Sequence, residues 1–294
     1  MKKILLLITS IMATYSIVHA VSPVDGACNV NGAGVIEVPA ADSYCKAEPD
    51  FYGITVYEMG LCTAQPTAPL VGTEIDLTNC VVVYTDAGGS AVEVIKNGSS
   101  AMNGGTTNRP PSGTYNYAYL KISKNFSIKA AITFDGAMQD DPSGINVGDA
   151  ISTGIYCYTT GVTSTGNGND GNNNYLPSSE CSNIIGDLAK AQTNTAPLEE
   201  FGGNGFVGSY TQGTMTAYLV DSSNFLATDS ADALNLVGIR DYTATPIIVT
   251  DASTSMNVQF TVSEGMSVND VSGPSGTQML GIGNGPFDIV ITVD

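Results

Sequence analysis

One histidine, His19, and no tryptophan occur in 294 residues, and that histidine falls in a segment that reads as removable. Met1 to Ala20 carries Lys2 and Lys3, the apolar run Ile4-Leu5-Leu6-Leu7-Ile8 and a Val18-His19-Ala20 ending, the pattern of a cleaved secretory signal peptide. The chain expected after cleavage has no imidazole. Most general-base, nucleophilic and transition-metal chemistry recruits that ring. Its absence excludes the Ser-His-Asp triad and Cys–His pairing and weakens the case for zinc. No Gly-x-Ser-x-Gly elbow is present either, and Ser43-Tyr44-Cys45-Lys46 matches Ser-x-x-Lys by letter alone.

Positive charge is the second scarcity. Ten Lys and Arg, less Lys2 and Lys3, leave eight against 28 Asp and Glu, so the cleaved chain carries a net charge of −20. Eight scattered cations make no basic face, which argues against nucleic acid and against anionic lipid surfaces. Charged residues make up 13% of the chain and hydrophobic ones 43%, so a sizeable core is expected. Outside the leader nothing approaches a membrane span, so no membrane insertion is expected after cleavage.

Cysteine is present in an even number: Cys28, Cys45, Cys62, Cys80, Cys157 and Cys181. In an exported chain that favours disulfides. Spacing alone does not choose the connectivity; the sequential set Cys28–Cys45, Cys62–Cys80 and Cys157–Cys181 is the expectation carried forward.

Strand signals dominate the rest. Ile54 to Met59 and Val81 to Tyr84 are β-branched and aromatic runs. From Asn125 to Phe134, Phe126, Ile128, Ala130, Ile132 and Phe134 alternate with a second set, the period of a strand with one buried face. Tyr115, Tyr117 and Tyr119 precede them, and a hairpin through Ser123-Lys124-Asn125 is expected to join the two runs. Met215 to Val220, Ile247 to Thr250, Asn257 to Ser263 and Phe287 to Val293 add further strands.

Helices should be few and short: Ser182 as a cap for 183–191, and Asp229 or Ser230 as a cap for Ala231 to Val237, stopped by Gly238. The class predicted is all-β, with one or two antiparallel β-sandwich-like domains. The proposed division is 21–145 and 146–294, the second holding a Gly/Asn-rich loop at 161–174. A short echo, Ala118-Tyr119-Leu120 against Ala217-Tyr218-Leu219 with Ser, Asn and Phe following in both, raises a duplication without establishing one.

Three constellations bear on function. The tyrosines 115, 117 and 119 form a contact surface if exposed and core if buried. Phe287, Ile289, Ile291 and Val293 alternate along a last strand that either closes its own sheet or enters a neighbour's. Asp140, Asp141, Asp149 and Asp170 are candidate oxygen ligands, making calcium the one cofactor worth naming. Glycoside hydrolysis, which needs two carboxylates and no imidazole, is the enzyme class left open, yet no pair of acids is distinguished. The expectation is an exported cell-surface or extracellular structural subunit or adhesin, with self-association, other surface proteins or glycans as partners. A carbohydrate-active hydrolase and a soluble ligand-binding module are the alternatives.

Overall fold

The computed structural model describes residues 26–30, 32, 43–96, 100, 102, 104–134, 138–140, 150–151, 154–158, 175–177, 192–195, 205–210, 212–272, 278–285 and 287–294. Ten strands come first: β1 (Ser43–Ala47), β2 (Phe51–Cys62), β3 (Cys80–Ile95), β4 (Thr106–Thr107), β5 (Gly113–Tyr115), β6 (Tyr117–Ser123), β7 (Asn125–Phe134), β8 (Met138–Asp140), β9 (Ala150–Ile151) and β10 (Gly154–Tyr158). Ten follow: β11 (Tyr175–Pro177), β12 (Gln192–Thr195), β13 (Phe206–Tyr210), β14 (Gly213–Val220), β15 (Asn235–Asp241), β16 (Ile247–Val249), β17 (Met256–Thr261), β18 (Met266–Ser272), β19 (Gln278–Asn284) and β20 (Asp288–Val293).

The fold is all-β. An eleven-stranded sheet runs β11-β10-β7-β2-β6-β15-β14-β13, with β3, β4 and β12 branching from it. Beside it are a five-stranded sheet, β1-β18-β19-β8-β9, and two ribbons, β16-β5 and β17-β20. One core joins these layers: Tyr52, Val56, Leu120, Ile122 and Ile128 of the large sheet share a buried cluster with Phe260, Val268, Ile289 and Ile291. Phe287 packs against Tyr52, Phe126 and Phe260 at ring separations of 6.3, 6.4 and 6.2 Å, all tilted. Sheets closed over a shared apolar interior make the architecture sandwich-like.

Three expectations change. Strands from before and after residue 145 are neighbours in the large sheet (β6 lies between β2 and β15) and share the core, so the described residues do not part into two β domains there. Nor do β6 and β7 form a hairpin. They lie end to end along one edge of β2, Val56–Cys62 taking β6 and Phe51–Gly53 taking β7. Ser123-Lys124-Asn125 lacks the glycine that a tight turn favours, and the twelve-residue β2 is long enough for both partners.

The helix expected over Ala231 to Val237 is one capped turn followed by a strand. Asp229 Oδ1 does accept from the Ala231 and Asp232 amides, each at 2.8 Å, but from Asn235 the chain is β15. That strand is buried on both faces, and such a strand reads as an unbroken apolar run that periodicity alone does not separate from a helix. Gly238, expected as a stop, sits mid-strand with the Met215 side chain where a Cβ would be. The other expected helix, 183–191, the leader and the 161–174 loop lie outside the described residues.

β2 also carries a bulge. Its register shifts between Val56 and Glu58, so the core-facing positions pass from Tyr52, Ile54 and Val56 to Met59 and Leu61. On the far face Tyr119 packs over Gly60, where any side chain would overlap its ring, and Tyr218 likewise covers Gly205. The repeated Ala-Tyr-Leu triplet therefore has one face pattern in β6 and β14, alanine and leucine inward and tyrosine outward. Beyond it the copies diverge, since Asn125 opens β7 while Asn224 turns back at φ 60°.

That outer face has its own small cluster. Ile75 joins Tyr218, Val220, Leu226, Val237 and Ile239, with Ala68 and Leu77 packed alongside. The covering segment is the loop between β2 and β3, whose base is closed by the disulfide Cys62–Cys80 across facing positions of those strands. A polar chain fastens its far end: Lys121 Nζ donates to Asn224 Oδ1 (2.6 Å) and Asn224 Nδ2 donates to Glu74 Oε1 (3.0 Å). Replacing Cys62 and Cys80 together by alanine should cost about 3 kcal/mol in denaturant titration and raise amide exchange between residues 67 and 77. Unchanged stability and exchange would show that the loop is held without the bond.

Candidate functional site

The structure separates the residues singled out from the sequence. Cys28–Cys45 and Cys62–Cys80 are bonded as expected. Cys157 lies in β10 and pairs in register with Ala131 and Leu176, but Cys181, its expected partner, is outside the described residues. Asp140 ends β8, and Asp141, Asp149 and Asp170 are outside the described residues; among the described residues no three His, Cys, Asp or Glu gather as a cation cage.

The three tyrosines do not make one stripe. Asn116 breaks the strand, leaving Tyr115 on β5 in the main core, Tyr117 half-buried and Tyr119 buried on the opposite face. Tyr115 donates to the Pro111 carbonyl at 2.8 Å, and Tyr119 donates to Glu58 Oε1 at 2.7 Å. Burial, with the Glu58 carboxylate adding to it, pushes the Tyr119 phenol far above its ordinary range. Glu58, Glu74 and Glu264 are each engaged separately, with Tyr119, Asn224 and Lys46.

The last strand is seated firmly. β20 pairs in cis with β17 from Asp288↔Thr261 to Val293↔Met256, and Phe287, Ile289 and Ile291 are buried in the core. Its other edge meets side chains. Ile291 donates its amide to Gln212 Oε1 (3.1 Å) and Tyr242 donates to the Ile289 carbonyl (3.4 Å). Beneath them Arg240 Nη2 reaches Asp288 Oδ1 at 2.7 Å and Nε reaches the Gln212 carbonyl at 3.2 Å. The Arg240 side chain is 3% exposed and lies over the Tyr242 ring, 5.5 Å from its centroid. Burial carries the Tyr242 phenol up to about 12; Arg240 opposes that rise and Asp288 adds to it.

Beside this ribbon the layers leave a cleft of about 420 Å³. Met59 and Val83 come from the large sheet, Met256, Val258 and Val293 from the ribbon, and Met102 from the segment leading into β4. Tyr84, 1% exposed, stands in the same wall, and its buried hydroxyl has no hydrogen-bond partner among the described residues. Arg109 is the one cationic side chain of the lining, which includes no carboxylate side chain. A concave, largely apolar space with a few polar groups is the usual form of a binding site. No stretch of sequence signals it, because its walls come from segments far apart in the chain.

Comparison with known protein families, with curated proteins and with solved structures returned no match. Among the described residues, the features open to chemistry are two anchored surfaces, a cleft, and a buried hydroxyl without a described partner.

Two measurements test this account. Arg240→Met leaves Asp288 as an uncompensated charge and should cost about 3 kcal/mol or more in urea titration. Adding Asp288→Val should restore a good part of that loss. Equal, small losses in both variants would mean that the pair does not hold β20. Tyr84→Phe, by contrast, removes an unsatisfied hydroxyl and should stabilise the protein by about 1 kcal/mol; a loss of stability would show that the hydroxyl is bonded after all.

Proposed function

We propose that the protein is an exported cell-surface or extracellular structural subunit or adhesin that works by assembly or binding. The leader-like first twenty residues, the disulfide framework and the acidic, low-cation composition all suit that setting. Among the described residues no helix is long and apolar enough to cross a membrane.

An open sheet edge carries the reading. β13 ends the order of the large sheet, pairs there with β14 alone among the described strands, and turns Val207 to solvent at 64% exposure. An edge strand offers a row of main-chain donors and acceptors to any chain that lies against it, and an exposed apolar residue on it adds to the attraction. Self-pairing of copies, or capture of another surface protein, uses that edge without a catalytic group.

Negative-stain images of the cell surface, together with light scattering of the purified protein, should show filaments, a layer or discrete oligomers. Val207→Lys should reduce assembly while leaving the melting temperature unchanged. A strictly monomeric protein on a bare cell surface overturns the proposal.

A further inference from the structure

The free edge of β17 leads into the cleft. In an antiparallel ribbon two opposed residues either bond each other or both face away. Ile291 donates its amide outward to Gln212, so its partner Val258 faces away from β20 as well. The next pair agrees: the Ile289 carbonyl is reached from outside by Tyr242, and its partner Phe260 donates outward to the Ser100 carbonyl at 3.5 Å. Val258, on the cleft wall, has no backbone partner for its outward N–H and C=O among the described residues.

Among the described residues, the neighbouring chain leaves that place unfilled. Ser100 and Phe260 form an antiparallel bridge, and in that register the position opposite Val258 belongs to Met102. Met102 instead lines the cleft with Val258. Gly104 and Gly105 follow with φ of +95° and +67°, conformations that favour glycine, and lead the chain to β4, which pairs with β3. The Tyr84 ring fills the space that a Gly105 side chain would need. Ser100 thus meets β17, while Met102 stands on the cleft wall beside Val258.

We propose that this cleft receives an extended apolar peptide segment, which pairs through its main chain with Val258 and seats a side chain among Met59, Met102 and Met256. Only a peptide backbone supplies a donor and an acceptor at the spacing that Val258 presents, and alternate side chains then enter the pocket. Methionine walls adapt to different aliphatic shapes. Arg109, in a lining without carboxylate side chains, favours neutral or acidic segments over basic ones. A lipid tail of similar size would leave the Val258 groups unpaired.

The test uses the purified exported protein and a fluorescein-labelled, end-blocked peptide of sequence Ser-Val-Thr-Ile-Thr-Val, read by anisotropy. Saturable binding is expected. Methylating the central backbone amides of the peptide should weaken it by about tenfold, the loss of one or two main-chain bonds. Met102→Trp, which fills the cleft from a partly buried position, should abolish binding with an unchanged circular dichroism spectrum. Folded protein that ignores the peptide, or binds its methylated form equally well, overturns the proposal whether or not Met102→Trp folds. Dodecanoate binding that is lost in Met102→Trp, with no peptide binding, would make this a lipid site and overturn it too. The inference does not depend on self-assembly: a monomer that binds the peptide keeps it, and filaments of a protein that ignores the peptide refute it alone.

Discussion

Arg240 and Asp288 hold opposite charges 2.7 Å apart with almost no water around the guanidinium, and the seating of the last strand depends on them. Removing two charges from water costs several kcal/mol per ion before their attraction offsets it, so such a pair contributes little net stability. Its effect is on alternatives. A one-residue slip of β20 would turn Ile289 and Ile291 out of the core and carry Asp288 away from Arg240, leaving a buried charge without its partner. Gln212 and Tyr242 then occupy the outer edge of the strand. The edge that looked most available for exchange with another molecule is the one the protein has closed.

With β20 fixed, the rest of the inner layer follows. Phe287 enters the ring cluster of Tyr52, Phe126 and Phe260, and β17 is held against β20 through the whole length of the ribbon. The opposite face of the large sheet is managed differently. There the loop between β2 and β3, tied at its base by Cys62–Cys80 and at its tip by Glu74 and Asn224, covers a small apolar patch. Each face of the sheet is thus covered, one by a second layer of strands and the other by a clamped loop. Among the described strands, main-chain edges stand open at β13 and along the short stretch of β17 beside the cleft. Both are places where main-chain groups meet the surroundings.

Part of this was legible in the chain. Period-two alternation identified β7 to the residue, because a strand with one buried face repeats every second position whatever its neighbours are. The even cysteine count suggested disulfides, two of the three sequential pairs expected are formed, and strand composition suggested the class. Other features were hidden for definite reasons. The bulge in β2 reverses the face of Met59 and Leu61 with no glycine or proline to announce it. β15, buried on both sides, resembled a helix after a true Asp229 cap. The tyrosine row looked continuous because one-letter spacing says nothing of the break at Asn116, and the echo of Ala118 in Ala217 suggested separate domains where both triplets lie in one sheet.

The sequence by itself determined an all-β chain, rich in apolar alternation, even in its cysteine count and poor in cations and imidazole, since each of these depends on residue identity or on neighbours a few positions away. Tertiary structure alone decided which strands meet, that the halves share one core, that β20 is locked in place, and that a cleft opens beside Met102 and Val258. Those outcomes depend on pairings between residues distant in the chain, such as Tyr119 with Ile239, Ser100 with Phe260 and Arg240 with Asp288. Strand edges are chemically alike along any backbone, so only the competition among all of them, settled by burial and by a few unforgiving charges, selects the partners.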